Sequence, residues 1–341
     1  MNVNLTLSFV LGLIVLVLLW GLSLSYGPVS IPVEAIWARL WGEDFPRSSW
    51  ETIIVEYRLP KSITAILVGI NLSISGLQMQ TYFRNPLAGP YVLGVSSGAG
   101  LGVAITLMAG TALGWNLWGM TDGWVLFLAA ALGAIGVLAI VSFTAWRVKD
   151  SMTLLIVGLM FGSLASALVA LLSYFAAAEK LKMYTVWSLG SLGATTWPQL
   201  QLFGWATLIG LIPVFLVAKS FNAMLLGENY AQSLGINVGR LKWTMIVSTG
   251  LLTGSTTAFC GPIAFIGIAV PHIARLILKT TDHKILFPGA ALLGAIILLA
   301  CDSLSHLPGT ASVLPINAIT SLLGAPVVIW LIVRRNFSKE F

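Results

Sequence analysis

Charge is what this chain has least of. Asp, Glu, Lys and Arg make up 9% of its 341 residues, against roughly a quarter in a soluble domain. It contains no Gly-Lys dipeptide, so it lacks a G-x-x-x-x-G-K-[ST] phosphate loop and does not bind ATP that way. Its three histidines, His272, His283 and His306, are scattered and offer no metal-ligand spacing. No Ser/His/Asp grouping stands out, which argues against a membrane enzyme. The two cysteines, Cys260 and Cys301, lie in or at the end of apolar segments. There they act as small buried hydrophobes rather than as a disulfide or metal pair. Of twelve acidic residues, only Asp302 lies near the interior of an apolar run. Ion-coupled carriers usually need intramembrane carboxylates, so this scarcity disfavours the rival class, an ion-coupled secondary transporter.

Apolar length is abundant. The chain is 57% hydrophobic, and several runs reach the roughly 20 residues that cross a bilayer as a helix. The expected fold is all-α, a single polytopic membrane domain over 1–341. Ten spans are predicted, at 5–26, 62–82, 91–110, 123–146, 151–174, 197–218, 243–260, 262–278, 286–304 and 313–333. The break between the seventh and eighth rests on Cys260-Gly261-Pro262, because proline removes a donor and clashes with the preceding turn. The first run has no Lys or Arg ahead of it and no clear cleavage site after it, so it reads as a retained span.

Ten spans put both termini on one side. Arg39, Arg47, Arg58, Lys61, Lys180 and Lys182 fall on the other side, and the remaining twelve of the eighteen Lys and Arg share the side of the termini. The positive-inside rule makes the richer side cytoplasmic, so the net charge of +6 reports membrane topology and not nucleic-acid binding. The long outer loop, 27–61, carries a helix signal at Ser30 and Pro32, with Val33, Ile36, Trp37 and Leu40 on one face. Pro60 is expected to start the second span.

The stretch 219–242 is polar amid apolar surroundings and faces the cytoplasm. Asn222 is expected to cap a first turn, Ala223–Leu226 to be apolar, and Gly227 to end the turn in a left-handed conformation. Glu228 then opens a second helix, where the dipole favours a carboxylate. Tyr230, Ala231 and Leu234 share one of its faces, and Gly235 closes it. A folded polar pair of helices between two spans suggests a docking surface.

Two stretches echo each other. Gly89-Pro90-Tyr91-Val92-Leu93-Gly94-Val95 resembles Gly261-Pro262-Ile263-Ala264-Phe265-Ile266-Gly267-Ile268 with one insertion. The first is expected at the cytoplasmic end of its span and the second at the outer end, as an inverted repeat requires. Gly94, Ser96, Ser97, Gly98, Gly100 and Gly102, and again Gly158, Gly162, Ser163, Ser166 and Ala170, are small residues that let helices approach closely. Asn71, Gln78, Gln80 and Asn317 are expected to hydrogen-bond between helices.

An ordered set of motifs then carries a resemblance. Arg58-Leu59-Pro60-Lys61, Ser75 to Gln80, Asn85-Pro86-Leu87-Ala88-Gly89-Pro90 and Leu93 to Ala99 come first. Leu226-Gly227-Glu228, Ala231, Ser233-Leu234-Gly235, Gly261 through Arg275, Asp282-His283-Lys284, Leu314-Pro315-Ile316 and Leu323-Gly324-Ala325-Pro326 complete it. From about residue 55 to 333 the chain resembles a permease subunit of the type II ABC importers that take up iron-siderophores, haem and cobalamin.

The resemblance implies a homodimer or pseudo-dimer of permeases, two cytoplasmic ABC ATPase subunits that carry the ATP and magnesium, and a periplasmic or lipid-anchored substrate-binding protein. It implies a bacterial inner membrane location, with no cofactor in this chain. Leu226, Gly227, Glu228, Ala231, Leu234 and Gly235 resemble the family's coupling helices. Arg58 and Lys61 match its outer docking cations, and His306 stands where a third cation, usually Arg, is expected. Asn85 and Leu87, with the turn near Ser151, resemble its cytoplasmic gate. His272, in Pro-His-Ile-Ala-Arg, is taken as structural rather than as a haem ligand.

Overall fold

Apolar runs bounded by Gly, Pro and Asn become helices throughout the computed structural model, which describes residues 2–27, 29, 31–41, 47–109, 123–148, 150–306 and 313–337. In order these are α1 (Asn2–Ser25), α2 (Val33–Leu40), α3 (Ser48–Thr52), α4 (Leu59–Tyr82), α5 (Val95–Ala104), α6 (Gly123–Arg147), α7 (Ser151–Phe175) and α8 (Ala178–Ser188). Then come α9 (Trp197–Leu216), α10 (Ala218–Met224), α11 (Glu228–Ser233), α12 (Val238–Cys260), α13 (Ile266–Leu278), α14 (His283–Ser305) and α15 (Ile316–Phe337). Among the described residues there is no strand, only a lone bridge between His306 and Val313.

Each of the ten predicted spans overlaps a helix. Six helical stretches are long and apolar enough to cross a membrane unaided: Leu5–Ser25, Ser48–Tyr82, Gly123–Arg147, Ser151–Phe175, Trp197–Leu216 and His283–Ser305. Three others are apolar but short: α5 with its π turn, α13 and the Ile316–Trp330 part of α15. The tenth, α12, has 23 residues but carries Ser248, Thr249, Thr253, Thr256 and Thr257, all buried. Surrounding helices and not lipid solvate that polar face.

Two features differ from the sequence expectation. Pro60 does not start the second span. The helix begins at Ser48 and runs through a π turn, Ile53–Arg58, into α4, so Pro60 lies within a continuous helix, just after the π turn. A helix the apolar pattern does not reveal, α8, fills the segment after α7. In the outer loop, α2 begins just after Pro32, while Ser30 and residue 110 of the third predicted span lie outside the described residues.

The two Gly-Pro echoes do not sit at opposite ends. They meet inside the bundle. The Tyr91 hydroxyl donates to the Ile263 carbonyl, and the Ile263 N–H donates to the Tyr91 oxygen at 3.0 Å. Gly267 packs on Pro90 and on the backbone of α4 at Leu72. After each Gly-Pro comes a residue with positive φ, Gly94 (72°) and Phe265 (67°), directly ahead of a short helix. The halves α5 and α13 therefore leave one interior junction, the geometry of broken helices in an inverted repeat.

Glycines set the closest crossings. Gly76 of α4 lies on the Gly267 carbonyl of α13, and Gly69 of α4 on that of Gly294 in α14, so a Cβ at either would overlap backbone. The polar spans cross-link as expected. The Asn71 amide donates to the Thr207 hydroxyl at 2.9 Å, that of Gln78 to the Ser248 hydroxyl at 3.2 Å and that of Gln80 to the Ile268 carbonyl at 3.1 Å. The Asn317 side chain accepts from the Ala264 N–H at 3.0 Å. Cys260 and Cys301 are buried and unpaired.

Candidate functional site

The polar 219–242 stretch folds as a helix pair. Its first helix, α10, starts at Ala218, so Asn222 lies inside it and not at its cap. Phe221, Ala223 and Met224 are buried and anchor the pair. Gly227 is not in the expected left-handed well. At φ 109° and ψ 158° it is extended in a region open essentially to glycine alone, and it precedes α11. Glu228 opens α11 as predicted. Gly235 ends it at φ 81°, with the Ile236 N–H donating to the Ala231 carbonyl at 3.1 Å and the Gly235 N–H to that of Gln232 at 2.9 Å, a Schellman closure.

Ala231 does not share a surface with its neighbours: it is buried, while Tyr230 and Leu234 are exposed. With Leu225 and Leu226 they form an apolar patch in which Leu226 is 64% and Leu234 57% exposed. Just after the pair, Lys242 of α12 donates to the Ala145 and Val148 carbonyls at 2.7 and 3.0 Å, capping the end of α6. Gly227 lies beside the Arg84 guanidinium.

Arg84 leads into the turn Asn85-Pro86-Leu87. The Leu87 N–H donates to Asn85 Oδ1 at 2.9 Å, leaving the Leu87 side chain 46% exposed at the tip. His272 Nε2 donates to the Pro86 carbonyl at 2.9 Å, so α13 braces this turn, a structural task for that histidine. Ser151 is the first residue of α7, directly after the Asp150 cap.

The other end of the bundle holds Arg58, Lys61 and His306. Arg58 is turned inward and is 8% exposed. Its guanidinium donates to the carbonyls of Leu24 (2.6 Å), Ser25 (2.8 Å) and Val29. That sews the end of α1 and the following loop to α4. A cation so held presents little charge to an incoming surface. Lys61 pairs with Asp302 at 2.8 Å and donates to His306 Nε2 at 2.7 Å. Burial first, then Lys61 and Arg58, lower the His306 pKa against the opposing pull of Asp302. The ring is therefore a neutral acceptor near pH 7. These groups line a cavity of about 670 Å³ bounded also by Tyr26, Tyr57 and Gly190–Ala194.

A second cavity, about 380 Å³, lies at the broken-helix junction. Ser96, Ser97, Ser166, Ser188 and Asn317 line it with Tyr91, Tyr184 and Trp187. Gly98 and Gly102, by contrast, pack on α6, so the small residues of α5 divide between packing and cavity. Tyr184 and Trp187 come from α8, whose charged sequence carries no span signal.

The sequence model of the FecCD transport family matches residues 14–334. The chain belongs to the FecCD transport family. Among its relatives, the vitamin B12 import system permease protein BtuC of Salmonella typhimurium is 37% identical over 295 residues, covering 85% of this chain and 86% of the relative. The BtuC of Salmonella typhi matches to the same extent. A metal-chelate type ABC transporter solved in an inward-facing conformation superposes with a TM-score of 0.81 at 29% identity, over 95% of this chain and 97% of that one. PsaBC from Streptococcus pneumoniae, in complex with Fab, gives a TM-score of 0.55 at 16% identity over 82% of this chain and 92% of that one. It shares the fold alone. This FecCD member is a multi-pass inner membrane protein with the fold of an importer permease.

Proposed function

We propose that the chain is the membrane-spanning permease of an ATP-driven importer, acting as one domain on a cobalamin or iron-chelate substrate, siderophore or haem. The observation that carries this is the exposure of Leu225, Leu226, Tyr230 and Leu234 on the α10–α11 helix pair. Exposed apolar side chains on an otherwise polar surface mark a protein interface, and a chain without a nucleotide loop needs a partner to use ATP. The partner is a pair of cytoplasmic ABC ATPases. A second copy of the permease completes the path, and Leu87 from each copy closes it by excluding water. Both termini lie in the cytoplasm.

A substrate-binding protein docks at the opposite end. Lys61 is the cation nearest that mouth, with His306 as its neutral neighbour and Arg58 as the brace behind them. An ion-coupled carrier is the second reading, and Asp302 tells against it. The carboxylate is committed to an ion pair with Lys61 at 2.8 Å.

The test is uptake into proteoliposomes that hold the permease with its ATPase and binding protein. Cobalamin, a ferric hydroxamate and haem are compared under ATP and under a proton gradient. ATP-dependent uptake of one of the three is the expected result. Uptake that follows the proton gradient and ignores ATP would sink the proposal.

A further inference from the structure

The buried imidazole of His283 belongs to none of the surfaces above, yet it joins three of the elements that carry them. Its ring is fully buried. Nδ1 lies 2.7 Å from Asn222 Oδ1, and the His283 backbone N–H donates to the same oxygen at 2.8 Å. Asn222 Nδ2 donates to the Asp282 carboxylate at 2.8 Å, which fixes the amide with its oxygen toward the ring. Nδ1 therefore carries the proton, and in the neutral ring Nε2 is an acceptor 2.8 Å from the Thr81 hydroxyl, whose single proton is shared between the ring and the Leu77 carbonyl at 2.9 Å. Phe221 stacks on the ring at 5.7 Å and 27°, and Phe287 flanks it at 5.3 Å.

Two consecutive residues of α10 thus grip the ring, Phe221 by stacking and Asn222 by hydrogen bond. The ring in turn grips the last turn of α4. That turn leads into the exposed Leu87. The Arg84 N–H donates to the Thr81 carbonyl at 3.2 Å and the Asn85 N–H to that of Gln80 at 3.1 Å. A buried imidazole has no water to replace these partners, so a shift of α10 either moves the end of α4 or breaks the bonds.

We propose that His283 is a positioning residue that passes the displacement of the α10–α11 pair, through Asn222 and Thr81, to the Asn85–Leu87 turn. This rests on the proposed docking of an ATPase on that pair. The path runs from Asn222 to His283 to Thr81 and bypasses the covalent route back through α9 to α5.

The test uses the complete transporter in nanodiscs, with Leu87→Cys as a reporter labelled by a membrane-impermeant maleimide. The native cysteines are buried, so the label reads position 87. Adding ATP and vanadate should change the labelling rate by about ten-fold, an ordinary coupling between sites. Thr81→Val removes the hydroxyl at constant shape. It should abolish that response while the ATPase stays bound and hydrolyses ATP, and Thr81→Ser should keep it. If Thr81→Val does not assemble, Asn222→Ala breaks the same path at its other end and is judged by the same criteria. A full ATP response in either broken-path variant overturns the inference. An intact path whose reporter ignores ATP while the ATPase is bound and active overturns the inference alone. The same silence with no ATPase bound overturns the docking proposal and this inference with it.

Discussion

Arg58 shows how one side chain can be misplaced by its neighbourhood in the sequence. Next to Lys61 at a predicted membrane edge, it has the position of a docking cation. The structure instead commits its donors to carbonyls about 30 residues earlier, a long-range contact that no local pattern reports. Arg58→Gln should therefore lower stability by about 1–3 kcal/mol, the cost of orphaning buried acceptors, read as a lower melting temperature in detergent. Binding-protein affinity of the folded fraction should stay near wild type. His306 makes the opposite kind of prediction. Its folded pKa lies below the ordinary 6.5, so the folded state favours the neutral ring. The stabilisation is present above pH 6.5 and is lost as acid drives a proton onto a ring that faces Lys61 and Arg58. Thermal stability should fall from about pH 7.5 to about 5.5, and His306→Gln should flatten that part of the profile.

At the scale of elements, the closest helix contacts are set by glycine. Gly76→Ala puts a methyl group on the Gly267 carbonyl, and α4 and α13 must separate. Overpacking of this kind costs about 1–3 kcal/mol or more, so the variant should give a reduced yield of folded protein by size exclusion. Leu234→Asp on the exposed face of α11 leaves the permease folded. It should weaken ATPase co-purification at least about ten-fold, as loss of an interface anchor does. Elements are also where sequence legibility divides. Six apolar runs find their helices because crossing length leaves few alternatives. Gly235 ends α11 where expected, because a left-handed closure is local chemistry. The side that Ala231 faces is decided by what packs beneath it. Short helices such as α3 and α8, mixed in charge through Glu51 or Glu179, Lys180 and Lys182, have no apolar run to announce them.

For the molecule as a whole, the ordered motifs foretell both family and fold, and the shared Gly-Pro pattern foretells the inverted halves. What they do not foretell is where the halves meet. Loop-like sequence suggests opposite membrane faces, but Tyr91 and Ile263 bind each other in the interior. Irregular backbone at that depth is tolerated where protein or a water-lined cavity solvates it, and the 380 Å³ cavity with its serines supplies such a lining.

The stitch made by Arg58 also orders the assembly of the chain in time. The first of these helices to leave the ribosome, α1, touches α4 through the Trp20–Ser62 hydrogen bond at 2.9 Å and the Arg58 contacts. Its other neighbour, at Gly12, is Leu292 of α14, which is synthesised near the end. Until then lipid covers that flank, which an apolar α1 such as this one tolerates at no cost. The Arg58 and Trp20 contacts of α1 therefore join stretches made early in synthesis, whereas its contact with α14 can form only once that helix is made.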